Sequence, residues 1–165
     1  MSARGGDCRG RTVPGFQVES HLAADARSLA VELFSMDGVN RELAPWIRMS
    51  APAAWRARPI AGWPCGAFLF RSVIALFGLV PVDLHHFRLA TIDTLGFEER
   101  STSILNREWR HRRGLSPCPS GTRVTDVVEY RSRLGPLGWL LWPVYRGVFA
   151  WRHRRLRSRY GARGG

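Results

Sequence analysis

The alternation of hydrophobic and polar positions along the first fifty residues predicts a strand followed by two helices and a second strand. Apolar and polar residues alternate over Gly15–His21, which predicts a short first strand. Ala23–Met36 combines apolar residues with good helix formers and predicts a helix, which we expect Asp37-Gly38 to end. Gly38–Leu43 then predicts a second short helix, and Trp46–Ser50 is apolar enough for a strand.

The most hydrophobic stretch of the chain is Phe68–Val82, interrupted by Arg71 and Gly78. A membrane-spanning helix needs roughly 18 or more apolar residues, so this run is too short to span. We expect instead a buried or interfacial helix over Ala67–Phe77.

From Asp83 onward the pattern changes to a period of two. It predicts four strands, over Asp83–Asp93, Gly96–Ser103, Leu105–Leu115 and Gly121–Arg133. Consecutive strands at this spacing favour an antiparallel meander, and a short turn at Ser120-Gly121 joins the last two.

The segment Leu137–Tyr160 is apolar on one side and rich in arginine on the other. Its apolar positions fall into two rows at helical spacing: Trp142, Tyr145, Phe149, His153, Leu156 and Tyr160, and Leu141, Val144, Val148 and Trp151. The regular helix is expected to begin near Pro143, because proline is tolerated in a first turn. The pattern predicts a long terminal helix whose apolar stripe packs on the sheet and whose arginines form a solvated back face.

Six short stretches in this order of elements carry a family resemblance. They are Asn40–Leu43 before Pro45-Trp46, Leu76–Gly78 before Pro81–Asp83, Phe97–Ser101, Trp109–Arg112, Gly121–Asp126 and the arginine-rich end Trp151–Tyr160. The chain resembles the START-like helix-grip (SRPBCC) superfamily, which includes bacterial polyketide cyclase/dehydrase-type proteins. The resemblance implies an α+β fold in which a curved antiparallel sheet wraps around the long C-terminal helix and encloses a hydrophobic cavity. Two short helices after the first strand fit that family, whereas the apolar helix near 67–77 is an insertion.

The resemblance covers about residues 13–160, and a chain of 165 residues fits one domain. Met1–Thr12 is rich in arginine and glycine and has no apolar run behind it, so we expect a disordered basic tail rather than a secretory signal. We expect a second disordered tail over Gly161–Gly165.

Composition adds two features to this picture. The formal net charge is +12 and every basic residue is arginine, which makes acidic partners or an anionic membrane surface plausible. Nucleic acid is not an expected partner, because no helix-turn-helix, finger or aromatic RNA-binding signature accompanies the charge. The seven tryptophans indicate broad apolar surfaces, either around a cavity or facing a membrane.

The cysteines Cys8, Cys65 and Cys118 are few and far apart, so neither a disulfide framework nor a zinc site is expected. Reduced thiols fit a cytoplasmic protein. A protein that associates peripherally with membranes would also lie at the membrane surface. His85 and His86 are adjacent and point to opposite faces of a strand, so no metal site is predicted. No phosphate-binding loop or nucleophile elbow occurs, and we expect no cofactor.

The chemistry-bearing residues concentrate on the last two strands. Alternation places Trp109 and His111 on one face, and Asp126 and Tyr130 on one face of the next strand. If both faces look inward, these side chains lie close together in the interior. They would then form a satisfied polar network, contact a ligand or act as an acid–base group. Arg100, if buried, would anchor a ligand carboxylate; the alternative is a surface or structural ion pair.

The sequence therefore favours a non-catalytic protein that binds a hydrophobic small molecule or lipid, although it leaves catalysis open. The candidate lining residues are Phe87, Phe97, Arg100, Trp109, His111, Asp126, Tyr130, Tyr145 and Phe149. An alternative is a polyketide-type cyclase/aromatase with His111, Asp126 and Tyr130 as acid–base candidates. A second alternative is a peripheral membrane or interaction protein that uses Phe68–Val82 and the terminal arginines. Ligand, pathway and oligomeric state do not follow from the sequence.

Overall fold

Seven antiparallel strands form one curved sheet that grips a long C-terminal helix in the computed structural model, which describes residues 14–56 and 58–161. The strands are β1 (Gly15–Leu22), β2 (Ile47–Met49), β3 (Phe68–Leu76), β4 (Val80–Ile92), β5 (Gly96–Ser103), β6 (Asn106–Cys118) and β7 (Gly121–Ser132). The helices are α1 (Ala26–Leu33), α2 (Met36–Leu43), α3 (Ala53–Arg56) and α4 (Leu141–Tyr160), with 3₁₀ segments at Ile60–Gly62 and Gly135–Leu140.

The order of strands across the sheet is β1-β7-β6-β5-β4-β3-β2. This confirms the predicted first strand, the meander and the terminal helix, and α4 begins two residues before Pro143. The predicted tail over residues 1–12, and residues 162–165 of the predicted tail 161–165, lie outside the described residues.

The β6–β7 hairpin turns at Pro119-Ser120 and then requires a glycine. Gly121 has a φ of +131°, and a Cβ on it would lie 2.1 Å from the carbonyl oxygen of Leu22. Only a residue without a side chain fits this close approach to the end of β1.

The predicted helix over Ala67–Phe77 is wrong. The run Phe68–Val82 instead forms β3, a turn at Phe77–Leu79 and the beginning of β4. Periodicity cannot distinguish a buried helix from a strand in so short an apolar run. In β3, Phe70 and Ser72 are buried, whereas Arg71 and Val73 are exposed on the outer face. Gly78, with a φ of +72°, supplies the turn.

Asp37-Gly38 does not end the first helix, as the sequence suggested, but lies inside α2. The Ser35 hydroxyl caps α2 by accepting a hydrogen bond from the Gly38 backbone N–H at 3.0 Å. Gly38 allows α2 to pack tightly on the end of α1, since a Cβ there would lie 2.5 Å from the carbonyl oxygen of Glu32. The chain therefore passes from α1 to α2 through a turn at which Ser35 caps α2, and no glycine ends the first helix.

The terminal helix packs its first apolar row on the concave side of the sheet. Phe149, His153 and Leu156 are buried there, and Phe149 meets the Phe16 ring of β1 edge to face at 5.6 Å. The second row is less covered, and Val144 is exposed. No helix within the described residues is long and apolar enough to cross a membrane.

Candidate functional site

The inward faces of β6 and β7 bring the predicted side chains together. His111 and Asp126 are both buried, and the His111 Nε2 atom lies 2.7 Å from the Asp126 Oδ1 atom. Trp109 and Tyr130 are direct cross-strand partners in the same ladder. The interpretation that both faces look inward is confirmed.

Asp126 is the centre of a buried set of hydrogen bonds. Arg113 donates to both of its carboxylate oxygens at 2.8 and 2.7 Å, and His153 of α4 lies 2.9 Å from Oδ2. Burial alone would raise the pKa of the Asp126 carboxyl, but the charges and hydrogen bonds of Arg113 and His111 together hold that pKa well below its usual range. Asp126 is therefore ionised, and each of its oxygens accepts two hydrogen bonds.

Glu42 extends these contacts into the helices. Arg113 donates two hydrogen bonds to the Glu42 carboxylate at 2.7 and 2.9 Å, and Arg152 of α4 donates a third at 2.9 Å. Burial opposes ionisation of Glu42, but the two guanidinium groups lower its pKa overall. One carboxylate thus ties α2 to both β6 and α4.

A second branch runs across the sheet toward β4. The His85 Nε2 atom lies 2.5 Å from Glu99 Oε1, and His111 Nδ1 lies 3.8 Å from Glu99 Oε2. Burial works against the charge of Glu99, but His85 and His111 lower its pKa overall. At the opposite side, His153 Nδ1 lies 2.8 Å from the Ser20 hydroxyl of β1.

Together these residues form what we call the buried polar network, which crosses the interior from β1 to β4. It consists of Ser20, Glu42, His85, Glu99, His111, Arg113, Asp126, Arg152 and His153.

Arg100 does not belong to this interior. Its side chain is 60% exposed and pairs with Glu98 at 2.5 Å, on the outer face of β5. The buried charge on β5 is Glu99, one residue earlier. Side chains alternate between the two faces of a strand, so the inward position of Phe97 also places Glu99 inside and Arg100 outside. This alternation was the sequence signal for Glu99 that was missed.

The predicted aromatic lining residues pack on the inner face of the sheet, and Tyr145 and Phe149 of α4 meet Trp109 and His111 there. The Trp109 and Tyr145 rings meet at 5.1 Å, and the Phe149 ring meets His111 at 5.0 Å. Phe97 packs on the other side of His111 at 5.3 Å, and Phe87 stacks on Phe70 of β3 at the same distance. These rings occupy the region in which the family resemblance implied a hydrophobic cavity.

Two pockets of the described residues lie outside this region. One of about 830 Å³ runs along the outer side of β3 and includes Arg48, Val73 and Phe77. A smaller one of about 170 Å³ lies between α2 and the end of α4, beside Glu42 and Tyr160.

Several interior polar atoms have no hydrogen-bond partner among the described residues. They are the Ser72 hydroxyl, the Asn106 side-chain oxygen, the Trp63 indole N–H and the Arg152 Nη2 atom, which lies 2.9 Å from Glu42 Oε2 without hydrogen-bond geometry. Ser72 is the cross-strand partner of His85, and the Asn106 amide donates to the Tyr145 hydroxyl at 2.7 Å. The interior therefore has unused hydrogen-bonding capacity beside its aromatic rings.

One end of the sheet exposes almost all of the large apolar side chains on the described surface. We call it the apolar end. It carries the turns β3–β4 and β5–β6, the loop before β2 and the segment from β7 into α4. Its exposed side chains are Trp46, Leu76, Phe77, Leu79, Val80, Val82, Ile104, Leu134, Leu137, Trp139, Leu140, Trp142 and Val144.

Within the described residues, no group of three or more His, Cys, Asp or Glu side chains could hold a metal ion. Asp83 accepts backbone hydrogen bonds from Leu84 and Leu105, and His85 is engaged by Glu99. The two inward groups at the beginning of β4 therefore serve the protein's own contacts.

This architecture is the START-like helix-grip (SRPBCC) fold that the sequence resembled. The chain belongs to the DUF8410 family, described as a domain of unknown function, whose model matches residues 20–160. No curated protein matches the sequence.

Solved structures share the fold at low identity. Protein CV1439 from Chromobacterium violaceum is 11% identical, with a TM-score of 0.66, over 89% of this chain and 97% of that one. A START superfamily protein from Mycobacterium smegmatis is 14% identical, with a TM-score of 0.59, over 90% and 96%. The di-domain ARO/CYC StfQ from the steffimycin biosynthetic pathway is 10% identical, with a TM-score of 0.57, over 87% of this chain and 49% of that one.

Proposed function

We propose that the protein binds a hydrophobic small molecule or lipid between the sheet and α4, on the side nearest the apolar end. The observation that supports this most is the unused hydrogen-bonding capacity of Asn106 and Ser72 within the aromatic interior. A buried polar atom without a partner costs roughly 1–3 kcal/mol. A ligand that supplies the missing partner recovers this cost.

Trp109 and Tyr145 form the entrance of the proposed site. Both side chains are partly exposed, whereas the rings deeper in the interior are buried. A ligand that enters from the apolar end therefore displaces these two rings first.

Tyr145 and Asn106 would orient the ligand. The Tyr145 hydroxyl accepts from the Asn106 amide, so its own proton can be donated to an acceptor on the ligand. Burial raises the pKa of Tyr145 to about 12, which keeps this donor protonated at neutral pH. A ligand group that donates to the Asn106 oxygen and accepts from Tyr145 fits both residues.

The expected ligand is an apolar molecule with a hydroxyl or similar uncharged polar group. Buried apolar surface would supply most of its affinity, at roughly 25 cal/mol per Å², and the polar group would set its orientation. The candidate contacts Asp126 and His111 lie deeper, and Asp126 already accepts four hydrogen bonds. We assign Asp126 to holding the fold rather than to the ligand.

A second candidate is a cyclase/aromatase that uses His111, Asp126 and Tyr130. The contact between the His111 ring and the Asp126 carboxylate favours it, because a carboxylate orients an imidazole for proton transfer. In this version His111 alone moves the proton, since the Tyr130 hydroxyl donates to the Gly138 carbonyl at 3.2 Å. Turnover of a linear polyketone by the wild-type protein, abolished in His111→Gln, is the result that would place this candidate first.

Titration with the uncharged apolar dye Nile red tests the binding proposal. We expect saturable binding of one dye molecule per chain, reversed by competition with the protein's own extracted ligand. Tyr145→Phe keeps the ring but removes the hydroxyl and should weaken binding of a hydroxyl-bearing competitor by about tenfold. Tyr160→Phe makes the same change at the other end of α4 and should have no effect. The binding proposal fails if dye binding is absent, and the placement of the site fails if both variants behave alike.

A further inference from the structure

We propose that the apolar end is a docking surface for an anionic lipid bilayer. Leu79 at the tip of the β3–β4 turn is 82% exposed, and Trp139 before α4 is 66% exposed. All but three of the exposed large apolar side chains described lie at this end, and the exceptions are Val31, Phe68 and Val73. An apolar surface confined to one end of a molecule marks an interaction site.

Hydrogen bonds join the contributing segments into one rim, and the Leu105 N–H, which donates to Asp83 Oδ1 at 3.3 Å, connects the β5–β6 turn to the beginning of β4. The Phe77 N–H donates to the Trp46 carbonyl at 2.7 Å, which joins the β3–β4 turn to the loop before β2. The Leu105 carbonyl accepts from the Arg133 N–H at 2.8 Å, which joins the β5–β6 turn to the segment leading into α4. At the far side, the Trp142 indole donates to the Gly15 carbonyl of β1 at 3.2 Å.

The charges around this rim select an anionic surface. No acidic residue occurs between Glu42 and Asp83 or after Glu129, and these two stretches supply most of the apolar end. The same stretches carry exposed arginines, including Arg48 and Arg146.

The two acidic residues nearest to this end are already engaged. Asp83 accepts backbone hydrogen bonds from Leu84 and Leu105, and Glu108 pairs with Arg131 at 3.1 Å. Arg131 therefore compensates the charge of Glu108, and the single charge of Asp83 is outnumbered by exposed arginines such as Arg48 and Arg146.

Tryptophan beside arginine is the composition expected at a bilayer surface. The Arg146 guanidinium lies 5.5 Å from the centre of the Trp142 ring, on the exposed first turns of α4. Indole rings prefer the level of the lipid headgroups, and arginine reaches lipid phosphates from the same depth. Each basic residue near an anionic membrane adds to the attraction, which salt weakens.

The same charges argue against a second copy of this chain as the occupant. A symmetric dimer through the apolar end would bring two arginine-bearing rims together, and like charges across an interface are unfavourable. A bilayer containing anionic lipid supplies both the apolar interior and the opposite charge. This docking does not depend on the ligand-binding proposal, because it uses exposed side chains rather than the aromatic interior.

Co-sedimentation with lipid vesicles tests the proposal on the full chain. We use vesicles of phosphatidylcholine alone and of phosphatidylcholine and phosphatidylglycerol in equal parts, at low and high salt. The wild-type protein should pellet with the anionic vesicles, far less with the neutral ones, and less at high salt. Brominated lipids should quench its tryptophan fluorescence as the rim enters the bilayer.

A matched pair of variants separates position from charge. Leu79→Asp with Trp139→Asp alters the apolar end, and Val31→Asp with Phe68→Asp makes the same change in charge at exposed apolar sites elsewhere. The first double variant should lose at least tenfold in vesicle affinity, and the second should keep most of it. Circular dichroism confirms that both are folded before they are compared.

Three results would overturn the proposal. One is the absence of pelleting with anionic vesicles at low salt. Another is an equal loss of affinity in the two double variants. The third is a dimer, seen by light scattering, that only the Leu79→Asp, Trp139→Asp variant disrupts, together with no vesicle binding. The apolar end would then bind a second copy of the chain.

Discussion

Arg113 of β6 holds Glu42 of α2 through two parallel hydrogen bonds of 2.7 and 2.9 Å, and both side chains are buried. The same guanidinium grips Asp126 on β7, so one arginine bridges two carboxylates inside the molecule. Planar, bidentate pairing of this kind is the geometry for which arginine is suited. It fixes the position of the short helices against the sheet.

Removing the Glu42 charge should destabilise the fold strongly. Glu42→Gln leaves Arg113 and Arg152 without one of their buried partners, and breaking a buried ion pair from one side costs about 3–5 kcal/mol. Urea unfolding measures the change in the free energy of unfolding.

Glu32→Gln is the matched control. Glu32 lies on α1 and pairs with Arg159 of α4 at 2.6 Å, but both side chains are substantially exposed. Its loss should cost less than about 1 kcal/mol. Equal effects of the two substitutions would contradict a structural role for the buried polar network.

Stability should fall on acidification. The pKa values of Glu42, Glu99 and Asp126 are lowered in the folded protein, so the unfolded chain takes up more protons as the pH falls. Their contribution is complete well above the unfolded carboxyl pKa values of about 4 and is lost progressively as the pH falls from about 5 through the lower folded-state pKa values. Urea midpoints measured between pH 7 and pH 3 (approximate limits set by those pKa values) should decline, and a flat profile would contradict ionised buried carboxylates.

Two glycines should respond to alanine in opposite directions. Gly121→Ala forces a side chain into positive φ and against the Leu22 carbonyl, and should cost about 1–3 kcal/mol. Gly147 lies inside α4, where an added Cβ meets no atom within 4 Å. Gly147→Ala should therefore stabilise the protein by about 0.5–1 kcal/mol. Thermal unfolding of both variants checks the pair, and a loss of stability in Gly147→Ala would show that α4 is more tightly packed than described.

The sequence predicted the parts of this molecule that depend on local pattern. A period of two placed His111 and Asp126 on inward faces because neighbouring strands in a meander share that geometry. The same rule, applied from Phe97, also places Glu99 inside. Arg100 lies on the opposite face of the strand from Phe97, so alternation alone was sufficient to exclude it from the interior.

The remaining parts depend on contacts that no local pattern encodes. Glu42 and Arg113 are 71 positions apart, and nothing in either segment marks the other as its partner. The run Phe68–Val82 is apolar on both faces, so its periodicity did not indicate a strand. The exposure of its apolar outward residues is explained by the position of the β3–β4 turn at the apolar end.

Native mass spectrometry of the protein taken directly from cells tests the central claim, that the interior binds an apolar ligand. We expect a mass above that of the 18.6 kDa chain. Activation should reduce it to the bare chain, and solvent extraction should recover an apolar compound bearing an uncharged polar group. A bare chain that also shows no saturable Nile red binding would contradict the claim.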